Sequence, residues 1–163
     1  NEHIPGERSD NIFIEEVYTG LGNLLDDSKG EVALMQTLCE VKVAVNKAIE
    51  GERSNGTVGA SLEAEVIIYA EQSLATQLLA IKDELRFVLM ASAVTVVSDQ
   101  TAPDNAIATE LDAMKLVINK SEHEKCARCW HHREDVGAVE VHPELCQRCV
   151  DNVDGDGEER LYA

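Results

Sequence analysis

The chain has 163 residues, a mass of 17.9 kDa and 44% hydrophobic residues, which suits one ordinary domain or two small ones and excludes a disordered tail. Fourteen basic residues against 31 acidic ones give a net charge of −17. Free-standing proteins that coat nucleic acid are usually basic, so this composition argues against that class, and the acidity is spread along the chain with neither an acidic tail nor a basic arm.

The chain opens on Asn1, with no charged start leading into an apolar run, so no signal peptide is expected. A start without Met inside ordinary sequence suggests a fragment or a processed chain. The longest apolar stretches, such as Val66-Ile67-Ile68 and Val94-Thr95-Val96-Val97, fall far short of the about 20 residues that cross a bilayer. An intracellular protein with no membrane partner is expected. Residues 1–28 have turn composition around an apolar patch, Ile12 to Tyr18, and Asp26-Asp27-Ser28 resembles a helix N-cap. From Lys29 to Arg53 the apolar residues Val32, Met35, Leu38, Cys39, Val41, Val45 and Ile49 recur three and four apart. That spacing predicts a long amphipathic helix, ended by the Asn55-Gly56 pair. On this reading Cys39 is a small buried hydrophobe rather than a nucleophile.

The period then changes. Ala64 to Tyr69 is rich in β-branched residues and predicts a strand. Glu71 to Ile81 and Asp83 to Ser92 read as helices, Ala93 to Ser98 as a second strand, and Met114 to Ile118 as a third. Strands interleaved with short helices predict an α+β fold: the end of a helical region at 1–56, a small mixed α/β unit at 57–120, and a distinct segment at 121–163. That last segment holds four of the five cysteines and the single Trp but few aliphatic residues, so it needs a staple to fold.

The staple is legible. Cys126-Ala127-Arg128-Cys129 is followed, after sixteen residues, by Cys146-Gln147-Arg148-Cys149. A CxxC turn places two sulfurs on one side, and two such turns complete a tetrahedron about 2.3 Å from a common ion. Four thiolates leave no open position for water, so the expected cofactor is one structural Zn2+ whose binding energy is folding energy. A pair of disulfides and a single iron are the competing readings. His131, His132 and His142 lie between the knuckles and are expected at the surface rather than on the metal. Trp130 is either a cover over the knuckle or a platform for an unpaired base. Arg128, Arg133 and Arg148 could make a local basic patch that positions phosphates, or be ordinary solvated charge. Asp154-Gly155-Asp156-Gly157-Glu158 fails the calcium-loop pattern and reads as a turn. No phosphate-binding glycine loop, nucleophile signature or HExxH is present, so no catalytic residue is assigned.

Taken in order, Glu124 to His132, Asp135-Val136-Gly137, His142 to Cys149 and Asn152 to Glu158 resemble the C-terminal zinc-binding end of bacterial isoleucyl-tRNA synthetases. Val45 to Glu50, Val58 to Val66 and Glu84 to Leu89 resemble the preceding region of the same family. The resemblance implies a class I synthetase, an ATP-dependent isoleucine–tRNA ligase, cytoplasmic and monomeric. Residues 1–56 would then end its anticodon-binding helices, 57–120 would form a junction unit, and 121–163 the zinc-binding domain. It implies tRNA(Ile), near the anticodon stem-loop, as partner, with Trp130 contacting it and Arg128, Arg133 and Arg148 as further candidates. The family's HIGH and KMSKS signatures are absent, so this piece should lack activity alone, ATP belonging to the catalytic domain. Two positions depart from the pattern: Gln147 stands where Gly is common, at a cost of about 1 kcal/mol if a left-handed backbone is required there, and Val17 stands where an aromatic is common. The alternatives are a free-standing zinc-ribbon module that binds protein, favoured by the charge, and the zinc finger of a DNA-repair glycosylase, disfavoured because such an enzyme is basic and starts with Pro-Glu.

Overall fold

The computed structural model describes residues 29–160. The readings made for residues 1–28, including the Ile12–Tyr18 patch, the helix cap and Val17, lie outside the described residues.

The long helix forms as the periodicity requires: α1 runs Lys29–Ser54. Leu38, Val41, Val45, Ala48 and Ile49 form its buried stripe. The stripe is narrower than the sequence suggested. Met35 is 46% exposed and Cys39 is exposed, which corrects the expectation of a buried thiol. At 3.6 residues per turn, Cys39 sits about a third of a turn from the centre of that stripe, so a three-or-four spacing alone counted one flank too many. The helix ends on the Asn-Gly pair. Gly56 takes φ 82°, its N–H donates to the Arg53 carbonyl at 3.1 Å and the Thr57 N–H donates to Glu52 at 2.9 Å. These two bonds are a Schellman closure, which a residue without Cβ adopts at least cost.

Four strands follow: β1 Ala64–Ala70, β2 Ala93–Ser98, β3 Ile107–Ala108 and β4 Met114–Lys120. Two helices, α2 Gln72–Leu79 and α3 Leu85–Leu89, lie between β1 and β2. The sheet order is β2-β1-β4-β3. β1 and β2 are parallel, which demands the intervening crossover, whereas β1–β4 and β3–β4 are antiparallel. The register sets Val66 beside Val94 and Ile118, and Ile68 beside Val96 and Leu116. Along β1 every second side chain, Ala64, Val66, Ile68 and Ala70, is buried. They share one core with the α1 stripe, with Leu74, Leu78, Leu85 and Leu89 from the crossover, and with Met114, Leu116 and Ile118 from β4. The predicted strands all form. The two-residue β3 was not read in advance, and the helix expected over 83–92 shortens to five residues because Met90 turns into the left-handed region, φ 55°. No helix among the described residues is long and apolar enough to cross a membrane.

A second, smaller core gathers Cys126, Cys146 and Cys149, with Cys129, Val136 and Leu145 against them. A last helix, α4 Gln147–Asp154, starts immediately after Cys146. Together these elements give a small mixed α/β architecture with a four-stranded sheet and a four-cysteine knuckle unit.

Candidate metal centre

Each pair of cysteines sits on a turn whose backbone the sequence dictates. In the first knuckle the chain folds back on itself. The Cys126 N–H donates to the His131 carbonyl at 3.0 Å, the Trp130 N–H to the Cys126 carbonyl at 2.9 Å, and the Arg133 N–H to the Glu124 carbonyl at 3.0 Å. To close so tightly the backbone turns left-handed at Trp130, φ 67°. In the second knuckle Cys146 starts α4, and the N–H groups of Cys149 and Val150 both donate to its carbonyl. A bond from the Ala127 N–H to the Glu144 carbonyl, 2.9 Å, ties the two knuckles together. Gln147 lies on the first turn of α4 and is not among the positive-φ residues, so the absent glycine costs no strain there.

All four sulfurs lie within 4.8 Å of one another. The Cys129 and Cys146 sulfurs are 3.7 Å apart. Four sulfurs arranged tetrahedrally about 2.3 Å from an ion are about 3.8 Å from each other, which the Cys129–Cys146 pair matches, and all four are close enough to share one ion. No pair is disulfide-bonded. Two donors point at sulfur: the Cys146 N–H at Cys126, 3.4 Å, and Arg128 Nη1 at Cys149, 3.7 Å. Burial works to raise the Cys126 thiol, but the backbone N–H groups of Cys129, Cys146 and Arg128 outweigh it and bring its pKa down to about 6. Burial pushes the Cys129 and Cys146 thiols up. The Cys126 thiolate therefore forms readily, whereas the Cys129 and Cys146 thiolates form when a cation neutralises them. The donor set fits one structural zinc ion.

The histidines correct the expectation in part. None joins the sulfur cage. Yet His131 is buried rather than at the surface, with Nδ1 3.2 Å from the Cys129 carbonyl and its ring in a T-shaped pair with Phe87. Burial, aided by Arg86, lowers its pKa to about 4 and keeps it neutral. Its neighbour Cys129 on the metal cage, together with the single aromatic in α3, was the only sequence signal for that contact. His142 Nε2 meets Asp154 at 2.6 Å.

Trp130 is 58% exposed, with Lys125 Nζ 4.8 Å from the centre of its ring. Arg128 is exposed and reaches Cys149, Arg133 lies 3.7 Å from Asp135, and Arg148 Nε grips both oxygens of Glu158 at 2.8 and 2.7 Å. Arg148 and Arg133 thus have acidic partners of their own. The turn after α4 serves that grip. Gly155 leaves no room for a Cβ, which would stand 2.8 Å from the Asp151 carbonyl.

Residues 124–152 match the family described as a zinc finger found in FPG and IleRS. Along 98% of its length the chain is similar to isoleucine–tRNA ligases, at 48% identity to that of Shewanella sediminis and 49% to that of Saccharophagus degradans. Against the one from Pseudomonas putida the identity is 45% over 162 residues. The chain spans 17% of the length of each of these relatives. The resemblance read from the ordered motifs is borne out, and so is the zinc that the motif implied.

Proposed function

We propose that this chain is the C-terminal, tRNA-recognising part of an isoleucyl-tRNA synthetase, the cytoplasmic and monomeric enzyme that attaches isoleucine to tRNA(Ile) with ATP. The similarity to isoleucine–tRNA ligases along nearly the whole chain carries this reading. ATP binding and aminoacyl transfer belong to the part of the parent enzyme outside this chain, which is inactive alone. Residues 1–56 close the anticodon-binding helices, 57–120 form the junction and 121–163 the zinc domain.

Within that domain Cys126, Cys129, Cys146 and Cys149 hold the zinc. The metal does no chemistry. It fixes a knuckle that offers Trp130 to the anticodon stem-loop. The geometry supports this role, because a large aromatic is held out from a turn whose backbone strain L-residues avoid, 58% exposed, beside a cation. Arg128 is the most open of the arginine candidates. Arg133 and Arg148 supply positive charge beside it while bound to acidic neighbours.

The test is Trp130→Ala in the full-length synthetase. A stacked base is worth about 1–3 kcal/mol, so charging of tRNA(Ile) should fall roughly 5- to 150-fold in kcat/KM with zinc content unchanged. Equal charging rates for variant and parent would overturn the assignment of Trp130.

A further inference from the structure

The zinc knuckles meet the sheet at one corner, and they do so from both sides. His131, two residues after Cys129, packs edge-on against Phe87 with ring centres 5.7 Å apart and planes at 77°. The next residue, His132, donates its backbone N–H to Ser92 Oγ at 2.7 Å. Phe87 is in α3 and Ser92 precedes β2, so they flank the left-handed turn at Met90. Ser92 is fully buried; its N–H donates to the Ala64 carbonyl at the start of β1, 2.9 Å away, and its hydroxyl donates to Leu62.

The second knuckle reaches the same ring. Arg148, the neighbour of Cys149, holds its guanidinium 4.7 Å from the Phe87 centroid. Arg86 and Arg160 stand at 4.4 and 4.0 Å. Glu158 binds Arg148 and Arg160 together. A phenyl ring attracts cations over its face and pairs with another ring in a T-shape, so one phenyl group accepts both hands of the metal site. The two hands arrive in register while the knuckles hold a fixed distance; the Ala127–Glu144 backbone bond and a small cysteine core set it in part, and the metal that all four sulfurs share locks it.

We propose that Phe87 and Ser92 form a joint through which zinc occupancy sets the order of the α3–β2 corner and of the parallel β1–β2 pair. Phe87 is a positioning residue. It acts on the metal through His131 and Arg148 rather than by touching it. The joint stands on the zinc site and is independent of any role in tRNA recognition.

The experiment uses the 163-residue chain. Zinc affinity is read by competition with a chromophoric chelator, and amide hydrogen exchange is followed with and without zinc. Removing zinc from the unaltered chain should speed exchange at Ala64, Ser92 and along β2 by at least about tenfold, while mid-α1 amides change little. Phe87→Ala should weaken zinc binding about tenfold, the scale of losing an outer partner of a metal site. Phe87→Tyr, which keeps the ring, should restore it. Exchange in β1 and β2 that ignores zinc, or a Phe87→Ala variant that binds zinc as tightly as the parent, overturns the joint. If Phe87→Ala fails to fold, the exchange comparison on the unaltered chain decides alone.

Discussion

Trp130 occupies a backbone conformation that only glycine adopts freely. Left-handed φ costs an L-residue about 1–2 kcal/mol, and Trp130 sits at φ 67°. Trp130→Gly should therefore raise the stability of the zinc-loaded chain by about 0.5–1 kcal/mol after allowing for glycine's freer unfolded state. Trp130→Ala should not share the gain. Thermal unfolding of the three proteins at one zinc concentration checks the order. A glycine variant less stable than the parent would mean that the ring itself supports the knuckle. A tryptophan at such a position runs against the local backbone preference, and this is where local rules were a poor guide to the sequence. The spacing of the cysteines announced the metal. It could not announce that the residue after Cys129 turns outward, because that depends on three hydrogen bonds closing the turn behind it.

At the level of elements, α4 is fastened by charge more than by apolar burial. Arg148 on its first turns clasps Glu158 beyond its end. The bonds from Arg148 hold the Glu158 carboxyl at a pKa of about 2, against an ordinary 4.5. A carboxylate depressed in the fold stabilises it fully above pH 4.5, and that contribution fades as pH falls toward 2. Both side chains keep some solvent exposure, so the amount is about 1 kcal/mol. Glu158→Gln should lower stability at pH 7 by that much and flatten its slope between pH 4.5 and 2, measured by denaturant titration across pH. An unchanged slope would mean that the clasp carries no weight. The helix had no reading in the sequence, since Gln147 to Asp154 has only two buried side chains, Cys149 and Val150, and its start is set by a metal knuckle rather than a cap. By contrast α1 and β1 were legible to within a residue or so, because their burial repeats with the period of the element: Val41, Val45 and Ile49 in the helix, Val66 and Ile68 in the strand.

For the molecule as a whole, the charge of −17 and the proposed partner pull in opposite directions. Among the described residues many cations already face acidic partners, Arg133 at Asp135 and Arg148 at Glu158 among them. The isolated chain should bind tRNA(Ile) far more weakly than a complete synthetase. The slope of log affinity against log salt should be shallower than about −3, the value for three phosphate contacts. Affinity matching the whole enzyme would show that the electrostatic footprint lies here after all. Composition made the acidity plain at once. The corner where Phe87 gathers His131, Arg86, Arg148 and Arg160 was invisible in the sequence, because its members come from four separate places in the chain and share no period.

The strand order has a consequence for how the protein is made. β1 lies between two strands that both follow it in the chain, β2 and β4. A growing polypeptide can therefore complete the core of the sheet once Lys120 has left the ribosome, whereas the last metal thiol, Cys149, is 29 residues further on. At about 5–20 residues per second, translation leaves that interval open for roughly 1.5 to 6 seconds. His131 and His132 emerge early in that interval, but the knuckle that presents them to Phe87 and Ser92 lacks its last two thiols until the second CxxC is made. The nascent sheet is then at its most vulnerable to proteases, and a supply of zinc ends the wait.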